Sequence, residues 1–220
     1  YSGGLGWPKA NDGAVARYYT DGNSVHCVRP LSKVGKATKG IALDSHGNAW
    51  VASGGDDTVY LVASDGSKVT GFADRGGILG PWGVAVDGND DVWVANFGHM
   101  GVTEDYTNAG ISKLAGVGSP SGLATGEALT PGLGYTLPSA GSPVTLPNGA
   151  NLYEDGTVCL SPLMRMTSVT IDQAGNIWAV NNWKPRFGTD FEPGEGNPGG
   201  DGIVIFVGLA KPPAWSPPAG

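Results

Sequence analysis

The sequence predicts an all-β protein of the β-propeller class, built from four-stranded antiparallel blades. One observation is a repeat of about 43 residues: Trp7, Trp50 and Trp93 are each 43 positions apart, and Trp178 follows after 85, close to two such steps. The other is that every clear copy has two short apolar strands joined by a polar turn. A period of this length is typical of blades, which bury their faces only by stacking on one another. A β-sandwich would not require a sequence repeat of this length.

The tryptophan strand of each copy belongs to a predicted hairpin. The segments are "IALDSHGNAWVAS" (41–53), "VAVDGNDDVWVAN" (84–96) and "VTIDQAGNIWAVN" (169–181). Each reads as strand, Asp, tight turn, strand, with Gly or Asn supplying the turn conformation. We therefore interpret Asp44, Asp87 and Asp172 as turn-capping residues and not as a catalytic set of carboxylates.

A second hairpin completes the blade. It is predicted at 58–73, turned by Asp65-Gly66, and related segments occur at 15–28 and 150–163. The organisation that follows is a single propeller domain over 1–213, with about five blades and a degenerate copy in 117–160, and a Pro-rich tail at 214–220. An incomplete ring or a fragment of a longer protein is also compatible with this count.

Composition restricts the partners. The formal net charge of −7 and the lack of Lys/Arg clusters remove the electrostatic basis for nucleic-acid binding. No stretch reaches the roughly 18 consecutive apolar residues of a membrane span. A Gly-rich, Lys-poor composition and a start at Tyr1 without methionine favour a processed or excerpted protein that is extracellular or on the cell surface.

The unit "GxAxDxxGNxWxAN" resembles the NHL-type blade and the virginiamycin B lyase-like propellers. The stretches "GLATGEALTPGLGYT", "VNNWK" and "GDGIVIFVGLAKPP" resemble uncharacterised secreted bacterial NHL-like proteins. The resemblance covers about 40–116 and 165–213. The resemblance to the secreted proteins implies a secreted bacterial-type propeller. The resemblance to the lyases implies a His and Glu constellation with a bound metal at the top of the ring. At the corresponding places this sequence has Asn96, Asn181 and Asn182.

Loop length predicts where a ligand or partner binds. After Trp50 the loop between strands is only "SGGDD", whereas long insertions occupy 97–109 and 182–201, on one face of the propeller. Long loops in a compact domain are usually functional or mobile. The predicted binding residues on this face are Asn96, His99, Glu104, Asp105, Asn181, Asn182, Trp183, Arg186 and Phe191.

Two further hypotheses concern metal binding and catalysis. The acidic residues of the longest loop, Asp190, Glu192, Glu195 and Asp201, are candidate ligands for Ca²⁺ or another divalent cation, although they lack EF-hand spacing and also read as a solvated acidic loop. His99 is the histidine best placed for acid/base work. No Gly-x-Ser-x-Gly, phosphate loop or Cys/His metal spacing is present, so no catalytic residue is assigned.

The two cysteines, Cys27 and Cys159, stand at equivalent positions of two repeats, in "CVRPL" and "CLSPL". Non-adjacent blades cannot bring their Cα atoms within about 7 Å, so we predict two unpaired, buried thiols.

The function predicted from the sequence is therefore a binding module acting through the face of loops 97–109 and 182–201. Its partner is a protein, a glycan or another copy of itself. Edge strands left by incomplete closure would favour association of copies by strand addition. The alternatives are a metal-dependent enzyme of the lyase or lactonase-like propeller type, and a structural subunit of an extracellular assembly.

Overall fold

The computed structural model describes residues 2–3, 13–98, 110–137, 143–154, 156–159, 163, 165–181 and 202–213. The secondary structure of this described part consists of β-strands. In chain order they are β1 Ser2–Gly3, β2 Gly13–Thr20, β3 Val25–Val34, β4 Thr38–Leu43, β5 Ala49–Ser53, β6 Thr58–Val62, β7 Val69–Ala73, β8 Pro81–Val86, β9 Val92–Asn96, β10 Ile111–Leu114, β11 Tyr153–Glu154, β12 Thr157–Val158, β13 Met166–Ile171, β14 Ile177–Asn181 and β15 Gly202–Phe206.

The strands form antiparallel sheets whose order follows the chain. We name them the first sheet (β1-β2-β3), the second sheet (β4-β5-β6-β7), the third sheet (β8-β9-β10), the small hairpin (β11-β12) and the last sheet (β13-β14-β15). The second sheet is a complete four-stranded blade. The hairpins predicted at 58–73 and 15–28 are confirmed as β6-β7 and β2-β3, and the one at 150–163 is reduced to two residues per strand.

The opening strands of three sheets lie side by side: β4 is next to β8, and β8 is next to β13. Glycine permits this close approach. A methyl group on Gly40 of β4 would meet the Trp82 carbonyl oxygen at 2.7 Å, and one on Gly83 of β8 would meet the Ser168 Cα at 2.9 Å. Only a residue without Cβ fits at such distances.

The sheets stack face to face, with apolar side chains between them. Alternation along a strand sends neighbouring side chains to opposite faces, so one strand serves two interfaces. In β5, Val51 packs toward Val15 and Val34 of the first sheet, while Trp50 packs toward the third sheet. Trp93 of the third sheet in turn packs toward the last sheet. Sequential antiparallel sheets with stacked faces and adjacent opening strands form the β-propeller arrangement, so the predicted fold class is confirmed.

The third and last sheets contact each other directly, although 51 residues separate β10 from β13 in the chain. Part of that segment continues the third sheet, since Ala128 and Tyr135 form bridges to β10 where a fourth strand would pair. Residues 143–159 contain the small hairpin. Within the described residues, the degenerate copy predicted at 117–160 therefore contributes these two pieces.

The aspartate of each tryptophan hairpin stabilises the turn by hydrogen bonds. Asp44 accepts hydrogen bonds from the backbone N–H groups of His46 and Asn48, from the Asn48 amide and from the Trp50 indole N–H. The same indole bond, six residues along the chain, joins Trp93 to Asp87 and Trp178 to Asp172, both at 2.9 Å. The structure therefore places these carboxylates in turns, as the sequence predicts. We call the hydrogen bond from each tryptophan indole N–H to the aspartate of its own turn the indole clip.

The turn of the third sheet departs from the other two. Gly47 and Gly175 occupy the left-handed position of their turns, with φ of 76° and 80°, but the third sheet has Asp90 there, with φ of 59°. Asp90 accepts bonds from the backbone N–H and hydroxyl of Ser45 in the neighbouring turn, at 2.8 and 2.5 Å. A strained non-glycine residue thus links two sheets.

Within the described part of the chain, no helix is long and apolar enough to span a membrane.

Candidate functional site

The two ends of the stacked sheets differ in chemistry. One end, the turn end, carries the hairpin turns of Asp44, Asp87 and Asp172. The opposite end, the loop end, is where β5, β9 and β14 finish at Ser53, Asn96 and Asn181, paired in register with the first residues of β4, β8 and β13. The long segments that follow Asn96 and Asn181 therefore leave from the loop end.

A row of cations and aromatic rings crosses the loop end. The Lys39 Nζ lies 3.9 Å from the centroid of the Trp82 ring, and the Trp82 and Phe97 centroids are 4.7 Å apart. The Arg165 guanidinium lies 5.0 Å from the Phe97 centroid. Such contacts stabilise by about 0.5–2 kcal/mol each, depending on solvent exclusion. The row links the second, third and last sheets where their opening strands begin.

The two ends of this row have different roles. The Arg165 side chain is fully buried and donates a hydrogen bond to the Phe97 carbonyl oxygen at 3.2 Å, so it holds the chain that enters β13. Lys39 and Trp82 are only half-buried. Burial lowers the pKa of Lys39 below its ordinary value, because partial desolvation disfavours the ammonium form. The accessible chemistry of the row therefore lies at Lys39 and Trp82.

Asn96, predicted from the sequence as a binding residue, has its side chain fully buried. Its amide oxygen accepts a bond from the Leu79 N–H at 3.1 Å, and its amide nitrogen donates to the Gly110 carbonyl and to the Ser112 hydroxyl. These bonds tie the entry into β8 to the start of β10. Asn96 therefore anchors the base of the 97–109 loop from inside the fold.

Asn181 occupies the corresponding place in the last sheet and is also buried. The remaining predicted binding and metal residues lie outside the described residues. They are His99, Glu104, Asp105, Asn182, Trp183, Arg186, Asp190, Phe191, Glu192, Glu195 and Asp201. Among the residues that the structure does describe, no group of three or more His, Cys, Asp or Glu side chains is placed to hold a metal ion.

The sequence reasoning missed Lys39, Trp82 and Arg165. Trp82 is out of phase with the 43-residue tryptophan series, and Lys39 is a single lysine at the start of a strand. A signal was nevertheless present, because Lys39, Trp82 and Thr167 occupy the same position of three aligned copies. A position whose chemistry changes between copies, beside positions that stay constant, indicates a role outside the repeated framework.

The first and second sheets enclose a small cleft that offers no comparable site. Its lining includes Val15, Val28 and Val62, together with Arg17 and Asp65. Its volume of about 20 Å³ is enough for a single water molecule. The loop end therefore remains the candidate site.

The sheet order and the stacking described above define a protein of β-propeller type. Among solved structures, the chain is similar to a streptogramin B lyase, with a TM-score of 0.41 and 14% identity over 79% of this chain and 42% of the other. It is similar to a catalytically inactive virginiamycin B lyase from Staphylococcus aureus with quinupristin, with a TM-score of 0.42 and 13% identity over 92% and 58%. A third is the extracellular domain of a hybrid two-component system from B. thetaiotaomicron, with a TM-score of 0.37 and 15% identity over 77% and 21%.

The chain thus spans about half the length of the two lyase structures. No family model and no curated protein matches it.

Proposed function

We propose that this chain is an extracellular propeller module that binds a ligand carrying an anionic group at the loop end. The observation that carries the proposal is the half-buried Lys39 ammonium beside the Trp82 ring at the loop end. Among the described residues, the Lys39 ammonium has no carboxylate partner within ion-pair distance. An ammonium in a partly desolvated position attracts an anion more strongly than one in bulk water does.

A glycan with carboxylate or sulfate groups is the partner that fits this pair best. Indole rings pack against the C–H faces or edges of sugars, and the ammonium pairs with the anionic substituent. An extracellular location, which the low Lys content favours, is where such glycans are met.

The test is binding of fluorescently labelled chain to an array of acidic and neutral glycans. We expect acidic glycans to be retained by the unchanged protein and lost by Lys39→Met. Lys68→Met is the matched control, since Lys68 is an exposed lysine on the β6-β7 turn and its substitution makes the same change in net charge. The proposal fails if no acidic glycan binds, or if Lys39→Met and Lys68→Met reduce binding equally.

The metal-dependent enzyme stays a hypothesis that rests on residues outside the described part of the chain.

A further inference from the structure

The last sheet exposes a face that the preceding sheets bury. In the second sheet, the face bearing Trp50 is covered by the third sheet, and in the third sheet, the face bearing Trp93 is covered by the last sheet. Trp50 and Trp93 are 0% and 1% exposed as a result. Trp178 has the same position in the last sheet and is only half-buried.

The neighbours of these tryptophans show the same difference. Val59, Ile111 and Ile203 hold equivalent positions in the second, third and last sheets. Each pairs with the residue two places after the tryptophan of its sheet, namely Ala52, Ala95 and Val180. Val59 and Ile111 are both 0% exposed, whereas Ile203 is 57% exposed.

Ile205, which pairs with Trp178, is 44% exposed. An apolar face that is buried twice elsewhere in the same molecule is thus open on the last sheet, and we call it the open last face.

The first sheet also has an exposed face, which is the one directed away from the second sheet. Its inner face bears Val15, which packs on the second sheet, and Arg17, which donates a hydrogen bond to the Ser64 carbonyl oxygen. Alternation therefore sends Tyr18 to the outer face, together with Val25 across the hairpin. Tyr18 is 51% and Val25 is 74% exposed.

We infer that the open last face of one copy docks on the outer face of the first sheet of a second copy. Among the described sheets, the face bearing Trp50, the face bearing Trp93 and the Val15 face of the first sheet each pack on the other face of the sheet that follows. A second copy presents such a following face, on which Tyr18 and Val25 are exposed and apolar and Lys33 lies toward the other end of the hairpin. The contact continues the stacking already present in the chain, and its two surfaces differ, so it is heterologous and builds head-to-tail dimers and longer oligomers.

This contact uses sheet faces and is independent of the loop end. It also differs from strand addition at a sheet edge, because Ile203 and Ile205 project from the face of β15 and not from its edge.

The experiment measures association of the chain by sedimentation velocity over a wide concentration range. The first variant is Ile203→Lys, because Ile203 is 57% exposed on the last sheet, whereas Ile111 at the equivalent position of the third sheet is fully buried against the last sheet. The second variant is Tyr18→Lys on the first sheet. The matched control is Leu123→Lys, because Leu123 is 47% exposed and belongs to neither face.

We expect the unchanged chain and Leu123→Lys to associate with increasing concentration, and each face variant to weaken association by about tenfold or more, as loss of a central contact residue does. An equimolar mixture of Ile203→Lys and Tyr18→Lys should form dimers that do not grow further, because each pair retains one intact interface.

Three results would overturn the inference. They are a chain that stays monomeric at all concentrations, association that survives Ile203→Lys, and association that is insensitive to Tyr18→Lys while Ile203→Lys abolishes it. Circular dichroism and tryptophan fluorescence identify any variant that is misfolded, and Ile203→Thr then provides a milder change on the same face.

Discussion

Lys113 Nζ and Asp91 Oδ2 form an ion pair of 2.7 Å in the third sheet, and this pair replaces a neutral arrangement used in the other two tryptophan hairpins. Asn48 and Asn176 occupy the position of Asp91, and Leu61 and Ile205 occupy that of Lys113. Lys113 also lies 3.6 Å from Asp87 and over the Trp93 ring. The added negative charge of Asp91 is thus matched by an added positive charge within the same copy of the repeat.

The first prediction follows from this exchange. Lys113→Leu leaves Asp87 and Asp91 together in a site where their side chains are 0% and 5% exposed, so it should lower the free energy of unfolding by about 3–5 kcal/mol. Adding Asp91→Asn recreates the arrangement of the second sheet and should recover most of the loss. Urea denaturation of the two single variants and the double variant measures the coupling; additive effects would show that the pair does not act as a unit.

The second prediction concerns acid. Hydrogen bonds from the Trp178 indole, the Asn176 amide and backbone N–H groups lower the pKa of Asp172 from 3.8 to about 2. A carboxyl whose pKa is lower in the folded state stabilises the fold above its unfolded pKa, and that stabilisation is lost as the pH falls from about 4 toward 2. Trp178→Phe should therefore raise the pKa of Asp172 toward 3.8 in a carboxyl-carbon NMR titration. Trp82→Phe, which is distant from this turn, should leave it unchanged.

The third prediction separates support from binding at Asn96. Asn96→Ala leaves the Leu79 N–H without its acceptor and removes the amide bonds to the Gly110 carbonyl and the Ser112 hydroxyl, so it should cost about 2–4 kcal/mol of stability in thermal or urea unfolding. Asn148→Ala removes an amide that accepts one bond in an exposed turn, and should cost less than about 1 kcal/mol. Equal, small effects would contradict an anchoring role for Asn96.

The fourth prediction uses the two thiols, which are both free in the structure. Cys27 is half-buried and Cys159 is buried, so Cys27 matches the prediction of an unpaired cysteine but is more accessible than expected. A thiol-specific aromatic disulfide reagent should modify Cys27 quickly and Cys159 slowly in the native protein, and both thiols at once in guanidinium. Recovery of fewer than two thiols after denaturation would indicate a disulfide.

Much of the framework could be predicted from the sequence because it depends on local chemistry. The hairpin turn at Asp44 and the alternation around Trp50 are encoded within a few residues, and both are found as predicted. The row from Lys39 to Arg165 spans four separate segments, so its assembly depends on which sheets become neighbours. The composition of the segment between Leu114 and Met166 does not predict that the third and last sheets are in contact.

Asn96 illustrates the same limit at one residue. Its place beside a long insertion indicates a binding role, since polar residues beside loops are usually accessible. Its partners, Leu79 and Gly110, become visible only when the register of β8, β9 and β10 is known. Burial, which turns a candidate ligand contact into an anchor, is a property of the packed sheets and not of the local sequence.

The indole clip has a consequence for how such a chain can change its length. The aspartate, the turn and the tryptophan lie within about seven consecutive residues, so duplication of one repeat copies a hairpin together with its complete fastening. A newly inserted blade would need no compensating substitution at its own turn end, and only its two faces would have to match their neighbours. Gain or loss of whole blades by unequal recombination is therefore a small step for this architecture.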